Sequence, residues 1–134
     1  MSKKATAQTF GTSLDQDDFA TTRSVLSEDC TYIIGEETLH GPIDIAKSYE
    51  DNMIAGRKKL DQLEWGECRI EELSPDEFYV HFTDYLTHQS KEYTHRCKQK
   101  VSVNDQNEIA RIEHISDQEE QDRLDEFYRS VGLK

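Results

Sequence analysis

The chain has 134 residues, enough for one domain with a working apolar core and no disulfide or metal staple. Sixteen basic against 28 acidic residues give a net charge of −12, which disfavours nucleic acid and anionic membranes as partners. No apolar stretch reaches the length of a membrane span, and no apolar run follows Lys3 and Lys4 to make a secretory leader.

In chain order, the segment from Lys4 to Leu14 is weakly helical, with Phe10 and Leu14 four apart. Asp15 to Asp18 supply a cap and first-turn carboxylates for a second helix, whose inner stripe is Phe19, Thr22, Val25 and Leu26 and which ends over Ser27–Asp29. The β-branched and aromatic run Cys30–Ile34 predicts a strand, and Thr38–His40 a short return strand after a turn at Gly35. Gly41-Pro42 opens a long helix with Ile43, Ala46, Tyr49, Met53 and Ile54 on one face, ending near Lys59.

From Leu63 the apolar period changes to two. One strand is expected from Leu63 to Leu73, a second from Phe78 to His88, a third from Tyr93 to Val103 and a last from Glu108 to Ile115. Turns fall at Ser74-Pro75-Asp76, Gln89-Ser90-Lys91 and Asn104–Asn107. Ser116 with Glu119 reads as a capping box for a closing helix. Its stripe of Leu124, Phe127, Tyr128 and Val131 should dock on the domain, and Gly132 stops it. Three well-separated cysteines, Cys30, Cys68 and Cys97, suit a reduced, cytoplasmic chain.

This order resembles the SnoaL-like and nuclear transport factor 2-like superfamily, over Phe10 to Ile115. The pieces that carry the resemblance are Leu14–Phe19, Leu26–Tyr32, His40-Gly41-Pro42, Val101–Asp105 and Ile109–Ile112. It implies a single α+β domain over residues 1–134. A strongly curved, antiparallel or mixed sheet would wrap around the long helix, with two N-terminal helices and an added C-terminal helix, as a cone with a pocket. Such proteins include isomerases, dehydratases, cyclases, hydrolases, ligand carriers and interaction modules, so the fold leaves the function open. At the positions of the steroid-isomerase branch's tyrosine, aspartate base and neutral aspartic acid stand Phe10, Ile34 and Gln99, which argues against that activity.

The resemblance also assigns the residues facing the hollow. They are Tyr32 and Ile34, then Val80, Phe82, Asp84, Leu86 and His88, then His95, Cys97, Gln99 and Val101, and finally Ile112 and His114. Mostly apolar walls with a few polar groups suit a small, largely apolar ligand. Asp84 interrupts the apolar Phe82–Leu86 face and needs a partner, with His114 or His95 the candidates. Asp84 meeting His114 would make a proton-moving pair, as similar pairs do in the dehydratase branch. Equally, Asp84 is read as a salt bridge to a histidine or as a group at the wet rim. Cys97 near a histidine is read either as a nucleophile or as polar core packing. Trp65, with Tyr49 and Met53, reads as core rather than as a ligand cage. The histidines lack a local metal motif, so neither a metal nor a cofactor is implied.

On the other face, Arg96, Lys98 and Lys100 form a basic stripe expected to pair with Glu67 and Glu71 on a neighbouring strand, or with a second subunit. Tyr79, Thr83, Tyr85, Ile109 and Ile115 also point away from the hollow, which predicts a homodimer through the sheet. The functional expectation is a small-molecule-binding domain of unassigned activity, for which lyase, isomerase or hydrolase chemistry is one option. The alternative is a non-catalytic carrier or interaction module.

Overall fold

A computed structural model describes residues 2–134. Helix α1, Lys3–Asp15, starts where the Ser2 hydroxyl accepts the Ala5 N–H. A sharp turn through Asp17, at a φ of 56°, leads to α2, Phe19–Ser24, capped by the Asp18 carboxylate.

Strand β1, Leu26–Ile34, begins four residues before the expected Cys30. The Ser-Glu-Asp segment looked like a helix end, but Leu26 before it and Thr31–Ile33 after it pair in parallel with β7, Ile109–Ile115, and the segment bridges them across a register shift. Strand β2, Glu37–His40, returns antiparallel to β1, and Gly41, at a φ of 89°, turns the chain into α3, Pro42–Lys59. The inward face of α3 is Ile45, Ala46, Tyr49 and Met53. Ile43 is turned about 100° from the centre of that face and is 68% exposed, and Ile54 is 44% exposed.

The single strand expected over Leu63–Leu73 is two, β3 (Gln62–Trp65) and β4 (Arg69–Glu72). Between them Asp15 of α1 accepts the Cys68 N–H at 2.8 Å and draws the chain out of the ladder. Both pair with β5, Glu77–His88, which forms a long hairpin with β6, Lys91–Val103, through Gln89 and Ser90 in left-handed conformations. Helix α4, Gln118–Ser130, is capped by Asp117, which accepts the Glu120 N–H, rather than by the expected box of Ser116 and Glu119.

The mixed sheet runs β2-β1-β7-β6-β5-β3, with β4 beside β3 on β5. Its concave face packs on α1 and α3 through Phe10, Ile45, Phe78, Val80, Val101 and Ile112. At the wide end, Leu60, Leu86, Phe127 and Val131 make a second cluster, so α4 docks there. The architecture is the α+β cone. No helix of the described residues is long and apolar enough to cross a membrane.

Two expectations for the outer face are corrected. Ile109 is fully buried rather than outward. A register shift between Ser102 and Val103 sets Ile109 opposite Val103, so Ile109 and Ile112 both face the core although three apart. The basic stripe does not pair with Glu67 and Glu71, because β5 lies between β4 and β6. Lys100 reaches Glu77 at 3.2 Å, Lys98 covers the Tyr79 ring at 4.3 Å, and Glu71 bonds His81 at 2.7 Å.

Candidate functional site

A cavity of about 580 Å³ occupies the wide end of the cone. Phe82 and Leu86 of β5, Leu63 and Trp65 of β3, Met53 of α3, and Leu124 and Tyr128 of α4 give it apolar walls. Asp84, His95, Gln99 and Tyr49 put polar groups among them. A second hollow, a groove of about 850 Å³, opens beyond the end of β7 and is lined by Ile34, Arg96, Lys98, His114 and the start of α4. His95 and Cys97 line both.

The strand registers decide which of the sequence-derived site residues meet. Asp84 stands directly across from His95, whereas His114 stands across from Gln99. Gln99 pairs with Val80, four positions from Asp84, or ~13 Å along the strand. Asp84 thus faces the cavity and His114 the groove, and no hydrogen bond or ion pair joins them. The structure separates the expected Asp84–His114 pair because β7 ends at Ile115, opposite Lys98, before reaching the level of Asp84. The imidazole beside Asp84 is that of His95.

Among the described residues nothing hydrogen-bonds the Asp84 carboxyl. Burial pushes it up to about 6, against the opposing charge of His95 and with the help of the Asp15 charge. His114 is lowered by burial and by His95. His95 Nδ1 lies 2.8 Å from Oε2 of Glu120, in the first turn of α4. The same oxygen accepts the Tyr93 hydroxyl, and Arg123 donates to Oε1 at 3.1 Å. Burial acts to raise the Glu120 carboxyl, but the bonds from Tyr93, His95 and Arg123 outweigh it and hold it below the usual range.

Sequence reasoning missed Glu120 because only its neighbour Glu119 was given a role there, in the capping box. The signal was its place on the apolar stripe, four residues before Leu124 and seven before Phe127.

Phe82, Leu86, His95, Cys97 and Gln99 line the cavity. Tyr32 lies behind it: Gln99 Nε2 donates to the Tyr32 hydroxyl at 2.8 Å, and the Tyr49 hydroxyl donates to Gln99 Oε1 at 2.6 Å. The two tyrosine rings stack at 5.1 Å. Ile112 is wholly in the core and lines neither hollow, because it packs between Tyr32 and Val101 in the sheet. Ile34 faces the groove. Cys97 bonds neither histidine, and its thiol is pushed up to about 12 by burial and by the charges of Asp84 and Glu120, which removes it as a nucleophile. Trp65, read as core, is a cavity wall at the mouth. Its Nε1 donates to Asp17 at 2.8 Å, and Asp17 also holds Arg57 at 2.7 Å. No group of three metal-ligating side chains converges among the described residues.

Solved structures of other proteins have the same architecture. A protein assigned as a polyketide cyclase, from Xanthomonas campestris pathovar campestris, superposes with a TM-score of 0.67 at 10% identity, over 89% of this chain and 93% of that one. TerC, solved with polyporic acid, gives 0.68 at 17% identity, over 91% and 96%. An epoxide hydrolase of the LEH-like kind from Mycobacterium tuberculosis gives 0.63 at 16%, over 90% and 86%. The chain has the SnoaL-like, nuclear transport factor 2-like fold. At these identities the likeness is one of fold, and no protein-family model and no curated protein matches the sequence. Within this fold the cavity is the hollow of the cone, and α4 is the element that covers it.

Proposed function

We propose that the cone binds a small, largely apolar molecule and that Asp84 with His95 moves a proton on it, in a reaction of the lyase, isomerase or hydrolase type. One observation carries the reading: a carboxyl without a hydrogen-bond partner sits in an apolar cavity, directly across the strand pair from an imidazole. A carboxyl raised to about 6 takes up and gives back a proton near neutral pH, which general acid–base chemistry needs. TerC, of the same fold, holds polyporic acid, and another protein of this fold is an epoxide hydrolase, which supports a ligand in the cone.

The single tryptophan, Trp65, lines the cavity and reports occupancy. Its fluorescence should change on titration with members of a panel of cyclic ketones, hydroxyketones and epoxides. Asp84→Asn and His95→Gln should keep that binding and lose turnover. Binding and turnover intact in both variants would sink the assignment. Binding without turnover in the native protein would leave the carrier reading in its place.

The outer sheet face favours self-association: Tyr85 is 49% exposed, and Tyr79, Thr83 and Ile115 lie on the same face. A homodimer through this face should sediment as such at tens of micromolar, roughly the range of a standard interface. A monomer there counts against it.

A further inference from the structure

We propose that Glu120 is a positioning residue: from the first turn of α4 it holds the His95 imidazole as the Nδ1–H tautomer and leaves Nε2 as the ring's free acceptor beside Asp84. The inference rests on the preceding reading for its consequence in catalysis, but not for its geometry.

An ionised carboxylate only accepts hydrogen bonds. At 2.8 Å between Nδ1 and Oε2, the shared hydrogen therefore belongs to the imidazole. A neutral imidazole carries one hydrogen, so fixing it on Nδ1 makes Nε2 the acceptor. Glu120 is ionised because the Tyr93 hydroxyl and the Arg123 guanidinium donate to it, and the same bonds make its burial tolerable.

Position 120 lies on the stripe that Leu124, Phe127 and Val131 use to dock α4, where an apolar side chain would serve packing better. A carboxylate there has a partner to orient. The groups facing His95 divide the work. Asp84, from β5, is the carboxyl without a partner. Glu120, with Arg123 behind it, is the permanent anion. Tyr93 and Cys97 flank His95 on the same face of β6, and His114 on β7 acts on it only by charge. Two carboxyl groups near one imidazole, one bonded to it and one without a partner, separate an orienting group from a proton carrier. Helix α4 is thus more than a plug at the wide end, because it delivers the group that turns His95 toward its task.

The test needs no substrate. The full chain is labelled with 15N-histidine, and His95 is assigned by its loss in His95→Gln. Long-range proton–nitrogen correlation at a pH where the ring is neutral then reads the tautomer. The Nδ1–H form should exceed the Nε2–H form by more than about tenfold, the ratio expected of a hydrogen bond to a charged acceptor. Glu120→Leu, which suits the apolar stripe, should abolish the excess. Glu120→Gln, which keeps an acceptor without the charge, should retain a reduced one.

A native His95 in the Nε2–H form overturns the proposal, as does an unchanged ratio in Glu120→Leu. If the Leu variant does not fold, Glu120→Gln decides: a reduced ratio supports the proposal and an unchanged one refutes it. A purely structural Glu120 would shift the melting temperature and leave the tautomer alone. Loss of the turnover assignment with the tautomer result intact would remove the catalytic consequence and keep the positioning.

Discussion

Replacing Asp84 by Asn should make the protein more stable at neutral pH, and the size of the gain follows from the site. Asp84 titrates at about 6 in the folded protein against an ordinary 3.8, because burial disfavours its charge more than His95 favours it. The folded state therefore holds this proton more tightly than the unfolded chain. Stability from the group is greatest below 3.8, declines as pH rises through the interval up to about 6, and is flat above it. A difference of about two units at about 1.36 kcal/mol each gives roughly 3 kcal/mol of penalty at pH 7.

Asn removes the charge at similar volume but keeps an unpartnered amide, so a net gain of about 1–3 kcal/mol is expected. With about 2.1 cal/mol/K of unfolding entropy per residue over 134 residues, or about 0.28 kcal/mol/K, that is about 4–10 °C in Tm. Thermal melts of both proteins from pH 4 to pH 8 read it: the gap should be near zero at pH 4 and complete by pH 7. An Asn variant that melts below the native protein at pH 7, or a gap independent of pH, would mean that Asp84 has a stabilising partner. The salt-bridge reading would then hold, and the case for a proton-moving site would go with it. A stability cost carried by an active-site group is the usual direction of the trade between activity and stability.

Cys97, half-buried and with its thiol pushed up to about 12, should resist iodoacetamide at pH 8 in the folded protein and react once urea unfolds it; reaction at a free thiol's rate in the native state would contradict the raised thiol. Gly11→Ala should cost about 1–3 kcal/mol in denaturant melts, because the new Cβ would sit 2.6 Å from Cys68 Sγ and 3.0 Å from Val80 Cγ1. Gly56→Ala meets only the mobile end of Leu63 and should cost less; equal costs would show that the core beside Gly11 relaxes. Tyr49→Phe removes the donor to Gln99 Oε1 and should destabilise by about 1–2 kcal/mol, and an unchanged melt would mean that another donor takes its place. Truncation after Ser116 removes Phe127 and Val131 from the wide-end cluster and should lower Tm, whereas an unchanged Tm would mean that α4 adds nothing to the core.

Much of the fold was legible in the sequence because period and turn chemistry are local. Helix α3 and strands β5, β6 and β7 follow from spacings of three to four or of two, and Gly41-Pro42 marks its boundary without any tertiary help. The start of β1 was hidden, because Ser27-Glu28-Asp29 has no strand propensity and lies in an irregular stretch between Leu26 and Thr31, which pair with Ile109 and Arg111 about eighty residues later. The break between β3 and β4 was hidden for the same reason, since Asp15 on α1 makes it.

In the candidate site, alternation put Asp84 on one face of β5 and His95, Cys97 and Gln99 on one face of β6, and the family resemblance made those faces the concave ones, where the cavity lies. Which of them meet was decided by register. Where β7 stops and how β6 pairs with β5 set Asp84 beside His95 and His114 beside Gln99. Glu120 belongs to the site only because α4 folds back over the wide end, and a sequence cannot say which strand a docking helix will touch. Alternation fixes which way a side chain points, whereas long-range packing fixes what it points at.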